Sequence, residues 1–257
     1  MEAQHKSWSP AQFSSEEIEN QNISMLRRGV RIDGEIADLY RQHPEKGRIL
    51  VHVGKCGGGS FRASLVETEL SKFVRNVHVH KPPLDTRYKY WLLIRNPLDR
   101  TVSAFRWRHK LVVEDRKKVG NQVEQKAFAR FSTINDIAEE LYDAGGQPNA
   151  EVQWLFRGIG HVGTDIHFYL SELLDRANAD QIEHVFMQEF LDEDLIQILG
   201  AKTNHRRHYN QSSSWRDHLS DRGAKNLRRI IEPDYAIVGR LFAMGKIPPD
   251  RIPTLFT

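Results

Sequence analysis

Between Arg48 and Phe61 the chain reads Arg48-Ile-Leu-Val-His-Val-Gly-Lys-Cys-Gly-Gly-Gly-Ser-Phe61, and few folds can hold such a stretch. Ile49 to Val53 is a short β-branched run of the kind that fits a buried parallel strand. It stops at Gly54, and Gly57, Gly58 and Gly59 precede a helical pattern. Glycines let the backbone adopt conformations barred to other residues and bring N–H groups close to a ligand. Ser60 is the expected N-cap, a helix N-terminus favours an anion, and Lys55 adds a mobile positive charge. Strand, glycine turn with lysine, then helix predicts a phosphate cradle.

The elements that follow predict an α/β fold. Phe61, Leu65 and Phe73 mark the buried side of the first helix. Asn76 to Pro83 alternates, which predicts a strand with Val77 and Val79 on one face and His78 and His80 on the other. Tyr88 to Ile94 predicts a central strand, and Asn96-Pro97 behind it is a helix-start signal. Leu98, Val102 and Phe105 give that helix its buried stripe. Segment 114–121 reads as a charged loop, 131–142 and 151–156 as helices, 184–188 as a strand and 191–199 as a helix. Two closing helices are expected over 219–231 and 234–242. Strands alternating with helices indicate a parallel sheet covered on both faces. The first 24 residues read as a loose arm, 23–40 as a helix, and 25–257 as a single domain.

Composition narrows the function. Lys plus Arg exceeds Asp plus Glu by only 37 − 34 = 3, too little for a general nucleic-acid coat but compatible with a local anion site. The single cysteine, Cys56, excludes an internal disulfide and a cysteine-built zinc site. No metal-ligand cluster is visible. The N-terminus lacks the apolar core of a secretion signal and no run approaches a membrane span, so a cytoplasmic enzyme without a membrane partner is expected.

A second anion station lies at the end of the 88–94 strand, where Arg95 precedes a helix that carries Ser103 two turns in. The bland alternative pairs Arg95 with Asp99 and leaves Ser103 exposed. Beside Lys55 and the glycines, Arg95 and Ser103 suggest a ligand phosphorylated at two separated places.

Here the sequence resembles the sulfotransferase family that uses 3′-phosphoadenosine 5′-phosphosulfate (PAPS). Val51 to Phe61 is similar to the family's 5′-phosphosulfate loop, and Ile94-Arg-Asn-Pro-Leu-Asp-Arg-Thr-Val-Ser-Ala-Phe105 to its 3′-phosphate motif. The resemblance covers about 48–107. Gly54 stands where proline is usual in the family, and Cys56 where threonine or serine is. The resemblance implies a P-loop-like three-layer sandwich, with a central, mostly parallel sheet flanked by helices. It also implies PAPS as donor and 3′-phosphoadenosine 5′-phosphate (PAP) as product, with no metal. Lys55, Cys56, Gly57, Gly58, Gly59, Ser60 and Phe61 would hold the 5′-phosphosulfate, and Arg95 with Ser103 the 3′-phosphate. Lys55 would also act in catalysis, on the leaving oxygen.

The acceptor is expected to be a hydroxyl on a carbohydrate or another small metabolite. Its proton needs a base, and histidine titrates in the useful range. Heparan sulfate 2-O-sulfotransferases, one branch of the family, carry a His-x-His element in the interval between the two motifs, with the base at the second histidine. The match is His78-Val-His80, which favours His80 with His78 in reserve; His52 reads as structural. Cys56 reads as a space-filling residue, with a reactive thiolate as the alternative. Arg100, Arg106, Arg108 and Lys81 read as solvated charges or guides for an anionic acceptor, and Trp107 as core. Two other classes remain open: a P-loop kinase, which lacks its Walker A glycine at Ile49 and its Ser or Thr at Cys56, and a non-catalytic nucleic-acid binder using 106–118 and 202–216.

Overall fold

The computed structural model describes residues 47–79, 81–82, 84, 88–201 and 219–256. The expected N-terminal arm, the helix over 23–40, the loop 202–216 and His80 lie outside the described residues.

Four strands are present among the described residues: β1 (Arg48–His52), β2 (Val74–Val77), β3 (Lys89–Ile94) and β4 (Ile182–Met187). They form one all-parallel sheet in the order β2-β1-β3-β4. β1 and β3 are short apolar runs because both of their faces are covered: Leu50, Val51, Leu92, Leu93 and Ile94 have no exposed surface. The connection after β1 runs to one side and β3 lies on the other. The crevice beyond the carboxyl ends of β1 and β3 is therefore a topological switch point, where open α/β sheets hold ligands. Near the opposite end, Glu183 takes a bidentate bond from Arg48 at 2.8 and 2.9 Å and accepts from Trp91 Nε1, tying three strands together.

Ten α-helices accompany the sheet among the described residues. They are α1 (Gly58–Val66), α2 (Pro97–His109), α3 (Gln122–Arg130), α4 (Ile134–Glu140), α5 (Ala150–Gly158), α6 (Ile166–Arg176), α7 (Leu191–Leu199), α8 (Asp221–Ile230), α9 (Glu232–Ala243) and α10 (Ile252–Phe256). One core joins the sheet to α1, α6, α7 and α9; a second joins α2 to α3, α4, α5 and α8. Phe61 of α1 is wholly buried edge-on to Trp91 and Phe186, and burying a ring of that size contributes about 1.5–3 kcal/mol.

Several expectations are corrected. The second strand ends at Val77, so His78 lies just past it, and Val79 leaves the extended region altogether with φ 69°. The helix expected over 131–142 begins only at Ile134, because the chain first closes α3 at Arg130 and restarts from a Thr133 capping box. Asn121 heads α3 with a capping box of its own, inside what read as a charged loop. α6 was not expected at all.

Candidate functional site

The glycine turn is built from both sides. Lys55 has φ 73° and Gly57 φ 86°, so the chain turns sharply out of β1 and straight into α1. Gly57, not Ser60, is the N-cap, and no side chain caps the helix; Ser60 lies inside the first turn and is buried. Nothing stands within 4 Å of where a Gly59 side chain would be, which leaves that side of the turn open. Gly58 is obligatory for a different reason: a Cβ there would lie 2.0 Å from Nε2 of His52. Within the turn, the Cys56 thiol is fully buried against the Gly54 carbonyl, 3.8 Å away, and burial pushes its pKa up to about 12. Cys56 fills space and is no thiolate. Its side chain and the Phe61 ring belong to the core, so only their backbone groups can serve the turn.

Lys55 reaches from this turn across to α2. Its Nζ lies 4.4 Å from the ring centroid of Trp107, which is half-buried rather than core. Asp99, Ser103 and Trp107 recur every four residues along α2 and so lie along one side of it, while Arg95 precedes the Asn96 cap. Burial drives the Lys55 pKa down to about 8, with the neighbouring Arg95 guanidinium as the next cause. Lys55 and Arg95 are therefore near enough to feel each other's charge. Asn96 caps α2 as expected, accepting from the N–H groups of Leu98 and Asp99 at 2.9 and 3.1 Å. Arg95 makes a loose 3.9 Å contact with Asp99, the pairing named as the alternative. The Glu189 carboxylate, in the short turn after β4, accepts the Asn96 N–H at 2.8 Å through Oε1, and burial raises its pKa.

Three imidazoles pack together against the glycine turn. His78 Nδ1 is 3.0 Å from the His52 carbonyl, which can only accept, so Nδ1 carries the proton and Nε2 the lone pair. The His78 ring stacks on His52 at 4.2 Å and 15°, and on His161 at 5.5 Å and 25°. All three are held neutral, chiefly by burial; the His161 pKa falls to about 3. His161 was missed by the sequence reading, although Gly158, Gly160 and Gly163 around it marked an unusual turn. A Cβ on Gly54 would lie 2.6 Å from His161 Nδ1, so glycine stands at that position because the imidazole occupies the space.

The charges expected at the surface of α2 divide. Arg106 is exposed, but Arg100 is entirely buried. Its guanidinium donates to the carbonyls of Gly54 at 3.2 Å, Val162 at 3.4 Å and Thr164 at 2.5 Å, and to that of His161. Arg108 is committed to Glu124 at 2.6 and 2.8 Å, and Glu124 also accepts from Gly160 N–H at 2.9 Å. The 158–164 turn is thus pinned from two sides. Tyr169 of α6 accepts the Val79 N–H at 2.8 Å and fixes the segment that carries His78. Lys81 pairs with Glu172 at 3.5 Å.

Four non-glycine residues among those described have positive φ, and Lys55, Val79 and His161 are three of them. Such strain persists only where the surroundings enforce it, and it gathers at functional sites.

No family model, no curated protein and no solved structure matches this chain. No helix among the described residues is long and apolar enough to cross a membrane.

Proposed function

We propose that the protein is a PAPS-dependent sulfotransferase acting on an acceptor hydroxyl of a carbohydrate or another small metabolite, on a P-loop-like three-layer fold. The observation that carries this reading is the left-handed turn at Lys55 and Gly57, which leads from the end of β1 into a helix N-terminus without a side-chain cap and with open space at Gly59; Arg95 is near enough to act on the Lys55 charge. A doubly phosphorylated nucleotide fits that donor set: the backbone of 55–61 and Lys55 for the 5′-phosphosulfate, Arg95 and Ser103 for the 3′-phosphate. No metal is invoked, because two cations and the helix terminus already oppose the ligand's charge.

PAPS supplies the sulfuryl group: its sulfur–oxygen bond to the 5′-phosphate breaks as the acceptor oxygen–sulfur bond forms. Lys55, protonated below about pH 8, stabilises charge at the leaving oxygen. The acceptor proton goes to a histidine. Sequence resemblance favours His80, which lies outside the described residues. The described geometry supports His78, whose Nε2 lone pair is set by the Nδ1 bond to the His52 carbonyl. Calorimetry with PAP against ATP tests the reading. PAP should bind at least tenfold more tightly, in the range of one lost charge-assisted contact, about 1.5–3 kcal/mol. A preference for ATP would favour a kinase.

A further inference from the structure

A third imidazole, with a buried arginine behind it, has no part in the proposed transfer. His161 sits in the turn between α5 and α6 with φ 62°, and its Nδ1 is buried with no hydrogen-bond partner among the described residues. A structural histidine ordinarily satisfies both its ring nitrogens. This one is instead packed flat against His78, with its edge on Gly54. Arg100 directs its guanidinium at the carbonyls of His161, Val162, Thr164 and Gly54, so the backbone of the His161 turn and the glycine turn are held by one cation. Removing a guanidinium from water is unfavourable unless its donors are met, and here backbone carbonyls meet them.

We infer that His161 is a positioning residue for His78: together with His52 it sandwiches the imidazole, fixes its ring plane and holds the lone pair on Nε2. The inference rests on the proposal that His78 takes the acceptor proton. Three features give it physical content. The His78 ring lies between two others, so it cannot rotate about its χ2 bond without displacing one of them. The groups that act on the three rings are cationic: Lys55 on all three, Arg62 on His52 and His78, and Arg100 and Arg108 on His161. Protonation of any one ring would add charge to that field, so the stack rests neutral and the His78 Nε2 lone pair stays unprotonated near neutral pH. Finally, the His161 backbone is fixed by Arg100 and, through Gly160, by Glu124, so the clamp is part of a rigid turn rather than a mobile loop.

The test reads His78 directly, by nuclear magnetic resonance of the full chain labelled with nitrogen-15 in its histidines. In the wild type His78 should show the Nδ1–H tautomer. His161→Ala should mix the tautomers and raise the His78 pKa by about half a pH unit or more as water and rotation return. His161→Phe, which keeps a stacking face without nitrogen, should restore the wild-type tautomer. If the alanine variant fails to fold, His161→Leu serves as the ringless comparison. Unchanged His78 signals in the ringless variant overturn the inference, as does a phenylalanine variant that behaves like the ringless one. PAP affinity of the same samples separates this inference from the donor reading. Wild-type protein that does not bind PAP overturns the transferase reading, and with it the catalytic meaning of the clamp. Intact PAP binding with unchanged His78 signals overturns the clamp alone.

Discussion

The Lys55 ammonium lies 4.4 Å from the Trp107 ring centroid, joining the glycine turn after β1 to the last turn of α2. An ammonium held over an indole face is attracted by about 0.5–2 kcal/mol, depending on how dry the site is. Trp107→Leu should therefore weaken PAP binding by roughly 2–30-fold, while Trp107→Phe retains most of the affinity. Calorimetry on the two variants checks this. Equal affinities for wild type and leucine variant would mean that the indole does not hold the lysine in place.

Arg95→Ala should weaken PAP binding by roughly 10–150-fold, the loss expected for one charge-assisted contact. Adenosine 5′-phosphosulfate, which lacks the 3′-phosphate, should lose far less. Comparable losses for both nucleotides would take the 3′-phosphate away from Arg95.

Affinity should also depend on pH through Lys55. Its pKa in the folded protein is about 8, below the ordinary 10.5. A bound anion favours the protonated form, so the complex takes up a proton above that value. PAP affinity should be level below pH 8 and fall as pH rises beyond it, by at most about tenfold per unit for one proton. Lys55→Arg should flatten the fall over the same range. Fold stability runs the other way: between about 8 and 10.5 the unfolded chain holds more protons on Lys55, so its contribution to stability rises with pH.

Much of the glycine turn and of the start of α2 was legible in the sequence. The β1 and β3 runs, the glycines and Asn96-Pro97 carry local signals, because a strand end and a helix start are decided by neighbouring residues. The histidine side was less legible. α6 did announce itself, with Asp165 as N-cap and buried residues at 166, 169, 170, 173 and 174, a plain helical stripe that the sequence reading passed over. Arg100 could not be read that way. Its partners are carbonyls 46 and 61 to 64 residues away, and a charged residue on a helix gives no local sign that it points inward. Val79 likewise follows an alternating pattern, yet turns left-handed as a long-range bond from its N–H to Tyr169 takes over.

The imidazole stack should make the protein acid-labile. Burial depresses all three folded pKa values below 6.5, so the unfolded chain binds more protons at lower pH. Stability conferred by the neutral rings is full above 6.5 and is lost as pH falls toward the folded values, near 3 for His161. Thermal melts between pH 7 and 4 should show a steeper decline for wild type than for His161→Phe. Parallel declines would place the lability elsewhere.

Gly54 and His161 share one small volume, with 2.6 Å between an added Cβ and the imidazole. Gly54→Ala should destabilise by about 1–3 kcal/mol, the usual penalty of overpacking. The pair Gly54→Ala with His161→Ala should recover part of that loss, and a double-mutant cycle by denaturant unfolding measures the recovery.

That shared volume also constrains how such a site can change over time. A lineage holding the imidazole at 161 meets a penalty at any larger residue at 54, whereas loss of the ring removes that penalty. Selection for stability thereby favours one order of substitution, with 161 yielding before 54 grows.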